Sequence, residues 1–509
     1  MMNYMFVKVN SATTLGLNCE LVEVEADISP RQTAAFIVVG LPDIAVQEAR
    51  ERVRLSIENS GFLFPRPKIT VNLAPADIRK EGPSFDLPIT IAVLKTSNQL
   101  DVNIDDSLFV GELALNGESR PITGILSIAI YAKEKGFKNL YVPKENAEEA
   151  SLINGINIFP VSSLSQLIHH LNGVELIQAI KETLHSKITE VEDELLDMQF
   201  VQGQEHAKRA LEIAAAGGHN VLLSGPPGSG KTLLAKTMNT ILPAMTDEEV
   251  LEVTQVYSIA GLLSKDKPII KTRPFRSPHH TSSGAALVGG GKIPKPGEIS
   301  LAHNGILFLD EFPEFPRAVL ENLRQPIEDG TISISRVQGT LDFPALFTLV
   351  ASQNPCPCGY YSDPDKKCIC TQNQILNYQK KVSGPLLDRI DIHVEVPRLE
   401  FEKLQEANNN NETSGTIKER IEKARVKQKD RFKQYNITTN CQMTSELIKS
   451  FCPLNNDSLT LLKQAVRSYH LSARVFHRIL KVARTIADLE DKEEIETGHL
   501  AEALQYRNQ

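Results

Sequence analysis

The residues best suited to chemistry follow a short apolar run that ends at Leu223. They form the pattern Gly-x4-Gly-Lys-Thr, which comprises Gly225, Pro226, Pro227, Gly228, Ser229, Gly230, Lys231 and Thr232. Glycines at this spacing let backbone N–H groups turn inward around phosphate oxygens, and the N-terminus of a following helix adds partial positive charge. Lys231 would supply a point charge to the β- and γ-phosphates, and the Thr232 hydroxyl would ligate Mg²⁺. A chance glycine-rich turn is the alternative, but the order strand, loop, Lys-Thr and helix predicts a site for ATP.

Two acidic residues end a second apolar run, Ile306 to Leu309. A buried strand that ends in Asp310 and Glu311 would deliver both carboxylates to the edge of a parallel sheet at which nucleotides bind. We predict that Asp310 holds Mg²⁺ through water and that Glu311 orients and deprotonates the attacking water. Alone, such a pair is often only a solvated strand end, so this prediction depends on the phosphate-binding pattern.

Four of the seven cysteines form two Cys-x-Cys pairs that are separated by nine residues. They are Cys356, Cys358, Cys368 and Cys370. Four thiolates at this spacing can surround Zn²⁺ tetrahedrally, although the commoner spacing is Cys-x2-Cys. We predict a structural Zn²⁺ site, with free thiols in a reducing compartment as the alternative.

A basic stretch lies between the phosphate-binding pattern and Asp310. Residues 265–295 carry seven lysines and arginines against one aspartate, a local charge of +6. The candidates for binding a polyanion are Arg273, Phe275, Arg276, Lys292 and Lys295. The cations would neutralise phosphates and Phe275 would stack on bases, so the stretch indicates DNA binding with little sequence preference. A solvated loop is the alternative.

The elements that must position these residues follow from hydrophobic periodicity. Residues 1–172 read as a mixed α/β domain, in which Val46, Ala49, Val53 and Ile57 make one helical face after a cap at Asp43. Residues 173–198 are acidic and predict a linker helix. Residues 199–397 alternate buried strands with helices, which is typical of a parallel sheet. Residues 398–509 begin with an asparagine-rich loop and continue as helices, the first of which we expect to be capped at Thr416.

Composition limits the classes of function. The chain has 509 residues, 41% of them hydrophobic, with 55 lysines and arginines against 63 acidic residues and a net charge of −8. These values fit two or three globular domains and exclude both bulk disorder and a uniformly basic coat. No apolar run approaches the ~18–20 residues that would span a bilayer, and Lys8 interrupts the N-terminal apolar segment. We therefore expect a cytoplasmic protein without membrane contact.

Taken together, these motifs resemble those of the AAA+ ATPases, and most closely the magnesium-chelatase-like family of ComM and YifB type. Besides the motifs above, the resemblance is carried by residues 296–303, 352–355, 384–391 and 472–474. It covers nearly the whole chain. It implies an α/β fold with a Lon/S5-like α+β N-terminal domain, an AAA+ P-loop parallel-sheet core with helix-2 and pre-sensor-1 insertions, and an all-α C-terminal lid. It also implies a Mg²⁺-dependent ATPase that forms homo-hexameric rings on single-stranded or branched DNA and drives branch migration of recombination intermediates in natural transformation.

The resemblance assigns three further residues to the ATP site. Asn354 follows a predicted strand and matches the sensor 1 position, although a strand-terminal turn asparagine is the alternative. Arg389 matches the arginine finger that such motors offer to a neighbouring subunit, with an intrachain salt bridge to Asp388 or Asp391 as the alternative. Arg474 matches sensor 2, near the γ-phosphate of its own subunit, and is otherwise a surface arginine.

Two more segments gain a role from the resemblance. Residues 332–347 alternate and predict a β-hairpin with Arg336 near its tip, which is similar to the hairpin that grips DNA in related motors. The segment around Ser84 resembles the nucleophile segment of Lon proteases, but Leu126 stands where Lon carries its lysine base, so we predict no peptidase activity. Two other functions stay open, namely an ATPase subunit of a metal-chelatase complex and an ATP switch that only scaffolds partners.

Overall fold

The computed structural model describes residues 6–29, 32–41, 43–80, 82–180, 196–264, 266–291, 294–336, 339–361, 363, 366–398, 411–469 and 471–507. Most of the predicted linker helix, the asparagine-rich loop up to residue 410 and Lys292 lie outside these residues. The chain divides into two compact units that are discontinuous in sequence. The first contains residues 1–189, 250–270 and 337–342, and the second contains residues 190–249, 271–336 and 343–509.

A seven-stranded mixed sheet with the order β3-β4-β2-β1-β5-β8-β9 forms the centre of the first unit. The strands of this unit are β1 (Val7–Leu15), β2 (Asn18–Ser29), β3 (Phe36–Val39), β4 (Lys68–Ala74), β5 (Ser107–Phe109), β6 (Glu112–Leu113), β7 (Ser119–Arg120), β8 (Asn139–Pro143) and β9 (Asn157–Val161). The helices are α1 (Ile44–Asn59), α2 (Asp86–Thr96), α3 (Ile125–Glu134), α4 (Ala147–Ala150) and α5 (Leu164–Leu171). β1 and β2 pair antiparallel, as do β2 and β4, whereas β5, β8 and β9 run parallel.

The period of the apolar residues explains these elements. Along β2, every second residue from Val22 to Ile28 is buried, which places one face of the strand on the core. α1 begins after Asp43, whose Oδ1 accepts a hydrogen bond from the Val46 N–H at 2.8 Å. The predicted apolar face of α1 packs into the same core.

The second unit is built on a parallel sheet of five strands in the order β11-β14-β17-β10-β18. The strands of this region are β10 (Val221–Ser224), β11 (Phe275–Arg276), β12 (Gly289–Gly290), β13 (Lys295–Pro296), β14 (Ile306–Leu309), β15 (Thr331–Arg336), β16 (Gly339–Pro344), β17 (Thr348–Gln353) and β18 (Ile392–Glu395). The helices are α6 (Glu205–Gly217), α7 (Lys231–Ile241), α8 (Asp247–Ala260), α9 (Gly284–Val288), α10 (Glu298–Leu301), α11 (Arg317–Glu321), α12 (Arg324–Asp329), α13 (Gln372–Gln379) and α14 (Gly384–Leu387). β10, β14 and β17 are adjacent, so their carboxyl ends meet at one edge.

Two insertions interrupt this core, as the fold class predicts. α9 with the small β12–β13 hairpin lies between β11 and β14, and the β15–β16 hairpin lies between β14 and β17. Most of α8 belongs to the first unit, where the Gln255 side-chain amide donates to the Leu17 carbonyl at 3.1 Å and to the Ser127 hydroxyl at 2.9 Å.

Helices complete the second unit. They are α15 (Ser414–Arg431), α16 (Ser445–Phe451), α17 (Asn456–Tyr469), α18 (Ala473–Leu489) and α19 (Thr497–Gln505). Their buried residues join those of the sheet in one core. The cap of α15 is Thr413 rather than the predicted Thr416, because the Thr413 hydroxyl accepts the Thr416 N–H at 3.3 Å and the helix starts one turn earlier. Within the residues described, no helix has both the length and the apolar character that crossing a bilayer requires.

Candidate functional site

The phosphate-binding pattern forms the turn between β10 and α7. Gly228 and Gly230 have φ values of +78° and +90°, which side chains with a Cβ rarely adopt. A Cβ at either position would meet nothing within 4 Å, so the loop faces open space. The Ser229 hydroxyl oxygen is buried and has no hydrogen-bond partner among the described residues. This open turn with one unpartnered buried hydroxyl has the shape of a phosphate cradle.

Lys231 lies at the first position of α7 and points back into the loop. Its Nζ donates to the carbonyls of Gly225 and Pro226 at 2.7 and 2.8 Å, and to Asn354 Oδ1 at 3.3 Å. Burial lowers the pKa of the Lys231 ammonium group, and the negative charge of Asp310 opposes this shift. The predicted sensor asparagine therefore contacts the predicted phosphate-binding lysine directly.

Asp310 follows β14 and is held by two hydroxyl groups. Its Oδ2 accepts a hydrogen bond from Thr232 Oγ1 at 2.9 Å, and its Oδ1 accepts one from Ser352 Oγ on β17. The Thr232 hydroxyl and an Asp310 carboxylate oxygen are thus adjacent, and both are ligand types that Mg²⁺ prefers. Thr232 and Asp310 are the two residues that the sequence predicted as Mg²⁺ ligands, whereas the contact from Ser352 follows from the adjacency of β14 and β17.

Glu311 adopts a left-handed backbone conformation with φ +52°. This conformation is uncommon for a residue with a Cβ and is often found at functional sites. The Glu311 carboxylate is half exposed, and its Oε2 lies 3.4 Å from Nδ1 of His280. His280 lies in the basic stretch after β11, and β11 is adjacent to β14. This strand order places His280 beside Glu311, the candidate base, although the sequence assigned no role to His280.

Arg389 lies just beyond α14 and is nearly fully buried. Its Nη2 forms an ion pair with Glu328 Oε1 at 2.6 Å, and its Nη1 donates to the Pro385 carbonyl at 2.7 Å. The intrachain partner is therefore Glu328 of α12 and neither aspartate that the sequence suggested. Asp391 instead forms an ion pair with Arg478 of α18.

Arg474 is exposed in the first turn of α18, one turn before Arg478. Arg478 anchors this end of the helix to the segment between α14 and β18, because it also donates to the Arg389 carbonyl at 2.9 Å. Burial favours the neutral form of Asp391, but Arg478 and His219 hold the pKa of this carboxyl below its usual range. The ion pair between Arg478 and the buried Asp391 therefore holds the helix that carries Arg474 in place.

Three of the basic-stretch candidates are engaged inside the second unit. Arg273 donates to the Pro243 and Asn304 carbonyls at 2.6 and 2.7 Å and pairs with Glu249 at 2.8 Å. Phe275 is partly buried in β11 and stacks on Phe308, with the ring centroids 5.9 Å apart.

Arg276 makes a bidentate ion pair with Glu298 at 2.6 and 2.7 Å. Lys295 is exposed on the β12–β13 hairpin. Arg336 ends β15, and its side chain lies outside the described structure. Among the candidates whose side chains the structure describes, Lys295 is the exposed cation.

The four cysteines of the predicted metal site come together. Their sulfur atoms all lie within 4.8 Å of one another, and the sulfur of Cys356 lies 3.3 Å from that of Cys358 and 3.7 Å from that of Cys368. Cys356 is buried, and the other three are half-buried. Tetrahedral Zn²⁺ with Zn–S bonds of ~2.3 Å requires sulfur separations of about 3.8 Å, so the cluster has the dimensions of such a site.

The N-terminal segment that resembles Lon has Leu126 where Lon carries its lysine base. Ser84 lies within a short 3-10 helix and does not provide the side-chain cap of α2. Leu126 is fully buried, and its N–H donates to Glu149 Oε1 at 3.0 Å. The buried Asp86 near Ser84 is held by Arg52 at 2.7 and 3.0 Å. These contacts stabilise the fold and leave no lysine at the position of the Lon base.

Comparisons with known proteins agree with the fold. Three family models match the chain. Residues 197–404 match the model described as "Magnesium chelatase, subunit ChlI". Residues 24–146 match "Subunit ChlI of Mg-chelatase", and residues 411–507 match "Magnesium chelatase, subunit ChlI C-terminal". Competence protein ComM of Haemophilus influenzae is 45% identical over 503 residues, which cover 98% of this chain and 97% of that protein. Protein YifB of Escherichia coli strain K12 is 44% identical over 500 residues, which cover 98% and 96% of the two chains. A Lon protease of Brucella suis is 26% identical over 188 residues, or 34% of this chain.

The parallel sheet, the phosphate loop and the paired acids define a magnesium-chelatase-like protein with an AAA+ core. Within this class, the chain belongs to the ComM and YifB family, because the identity extends over nearly the full length of both relatives.

Proposed function

We propose that the chain is a Mg²⁺-dependent ATPase that works as a ring-forming DNA motor. The observation that carries this proposal is the convergence of Lys231, Asp310, Glu311 and Asn354 at one sheet edge. Four groups with complementary roles in phosphoryl transfer seldom meet by chance, and they come from three adjacent strands.

Each of these residues has a defined task. The backbone N–H groups of Gly228 and Gly230 and the Lys231 ammonium group bind the phosphates of ATP. Thr232 and Asp310 hold Mg²⁺, which supplies neutralising charge to the phosphates when it is bound. Glu311 accepts a proton from the attacking water, and Asn354 orients that water or the γ-phosphate.

Assembly completes the site. Arg389 acts on the ATP of a neighbouring subunit, and Arg474 acts on the ATP of its own subunit. In the single chain, Glu328 holds Arg389, so the finger must leave this ion pair when a neighbour binds. A hexamer is the assembly that the family resemblance favours for such a shared site.

DNA is the substrate that we propose for the motor. The relative ComM is named a competence protein, and uptake of DNA ends in recombination, which produces branched intermediates. Lys295 on the β12–β13 hairpin and Arg336 at the end of β15 lie on the two insertions of the core and would contact phosphates without reading sequence. The motor would move branched DNA during natural transformation.

A second candidate is an ATPase subunit of a metal-chelatase complex, which the descriptions of all three matching family models favour. The two candidates differ in what stimulates hydrolysis. Forked DNA should accelerate ATP hydrolysis by a DNA motor, whereas a chelatase subunit should respond to its chelatase partner.

Branch migration by the purified protein tests the proposal. The protein with ATP should convert a labelled three-strand or four-way junction into its products, and Glu311→Gln should not. A protein that hydrolyses ATP without moving the junction, or a Glu311→Gln variant that keeps its cellular function, would instead support an ATP switch that scaffolds partners.

A further inference from the structure

The loop that carries the cysteine cluster lies directly against the phosphate loop. Gly359 follows the first Cys-x-Cys pair, and its N–H donates to the Cys356 carbonyl at 2.9 Å. A Cβ added to Gly359 would lie 2.5 Å from Cδ and 2.6 Å from Cγ of Pro227. These distances are too short for any side chain, so the backbone of the cysteine loop packs on the ring of a phosphate-loop residue.

The same loop is covalently joined to a second part of the ATP site. Asn354, whose side chain contacts Lys231, stands two residues before the buried Cys356. At the other end, Cys370 is followed by Thr371, which caps α13 through a capping box. The cysteine loop is thus held at both ends, and between them it reaches Pro227.

Two apolar residues in the described part of this loop are exposed rather than packed in a core. Tyr361 is 42% exposed and Ile369 is 86% exposed. In loops without a core, cross-linking by a metal commonly provides the free energy that orders the backbone. The four sulfur atoms are the groups on this loop that can provide such a link.

We propose that Zn²⁺ bound by Cys356, Cys358, Cys368 and Cys370 supports the phosphate loop, so that occupancy of the metal site raises the affinity for ATP. The metal fixes the backbone at Gly359, and Gly359 fixes Pro227 from outside the nucleotide cradle. Because coupling between two sites is reciprocal, bound nucleotide also raises the affinity for the metal by the same factor. This inference rests on the proposed binding of ATP at the phosphate loop.

The first experiment needs no variant. Elemental analysis of the purified full-length protein should give one zinc per chain. At equilibrium with a competing colorimetric chelator, the protein should hold this zinc more tightly with a non-hydrolysable ATP analogue and Mg²⁺ than without them. The expected ratio of the two zinc dissociation constants is about 5-fold or more, the lower range of coupling between sites.

The second experiment measures the affinity for a fluorescent ATP analogue. Cys368→Ser should lose zinc and bind the analogue about 10-fold more weakly, whereas Cys441→Ser, a cysteine outside the cluster, should change neither value. Gly359→Ala should keep zinc but weaken nucleotide binding, because its Cβ would press on Pro227. Gly136→Ala is the matched control, since Gly136 has a similar φ of +81° with nothing within 4 Å of a Cβ.

The outcomes separate the inference from the proposed function. A protein without stoichiometric metal refutes the zinc site. Equal zinc affinity with and without nucleotide, together with equal nucleotide affinity before and after removal of the zinc, refutes the coupling. Failure of the zinc-loaded protein to bind the ATP analogue at all refutes the proposed ATP site instead.

Discussion

Replacing Ser352 by alanine should weaken Mg²⁺ binding although Ser352 is not a proposed metal ligand. The substitution removes the hydrogen bond to Asp310 Oδ1 and leaves the one from Thr232 to Oδ2, at 2.9 Å, in place. Ser352 is buried on β17, so water cannot readily replace its hydroxyl. A hydrogen bond to a charged group contributes about 1.5–3 kcal/mol, which corresponds to ~10–100-fold in an equilibrium constant. Loss of an outer-shell partner lowers metal affinity by a similar factor, about 10–100-fold.

The assay is ATP hydrolysis as a function of Mg²⁺ concentration at fixed ATP. We expect the half-saturating Mg²⁺ concentration of Ser352→Ala to rise about 10–100-fold, whereas binding of nucleotide without Mg²⁺ should change little. Ser352→Thr, which keeps a hydroxyl, should stay near wild type. Ser300→Ala is the matched control, since the Ser300 hydroxyl is buried without a partner among the described residues. An unchanged Mg²⁺ dependence, or an equal effect of Ser300→Ala, would refute the role of Ser352.

Three further outcomes are expected. Glu311→Gln should bind ATP normally but hydrolyse it ~10²–10⁴-fold more slowly, the usual contribution of a general base. The control Glu314→Gln, which removes an exposed ion pair, should hydrolyse ATP at the wild-type rate. Stopped-flow binding and steady-state hydrolysis test both expectations. Arg474→Ala should raise the dissociation constant of ATP by about 10-fold and leave that of ADP unchanged, because only ATP has the γ-phosphate. An equal loss of affinity for both nucleotides would contradict the sensor role. Burial raises the pKa of Glu149 from 4.5 to about 7. The folded state therefore binds a proton more tightly than the unfolded state does. As the pH rises from 4.5 through 7, the free energy of unfolding should fall by up to about 3 kcal/mol. Glu149→Gln should flatten this dependence in urea unfolding followed by circular dichroism.

Local patterns allowed the sequence to predict much of the fold. The apolar face of α1, its cap at Asp43 and the turn from β10 into α7 depend on residues that are near one another in the chain. The two Cys-x-Cys pairs were also predicted to meet, because a short loop joins them. Two threonines near the start of α15, Thr413 and Thr416, could each cap the helix. The pattern indicated Thr416, so the predicted start of the helix is one turn too late.

Contacts between distant strands could not be predicted in the same way. Ser352 reaches Asp310 because β14 and β17 are neighbours, and His280 reaches Glu311 because β11 lies beside β14. The ion pair between Arg389 and Glu328 could not be predicted, because these residues are far apart in the chain and only the fold brings them together.

Phe275 illustrates the remaining difficulty. Its place in a basic stretch suggested stacking on bases, but a short strand buries its ring against Phe308. Charge counted along a segment does not reveal which side chains the fold uses internally.

A mixing experiment with two inactive variants tests most directly whether neighbouring subunits complete each other's ATP sites. Arg389→Ala lacks the proposed finger, and Lys231→Ala lacks the phosphate-binding lysine, so each variant alone should hydrolyse ATP ~10³-fold more slowly than wild type. In rings assembled from equal amounts of both, about one site in four combines an intact Lys231 with an intact Arg389 from the neighbour. Hydrolysis should therefore recover to about a quarter of the wild-type rate. A mixture that is no faster than the average of the two variants, although it forms rings, would show that Arg389 acts within its own chain and would contradict the shared site.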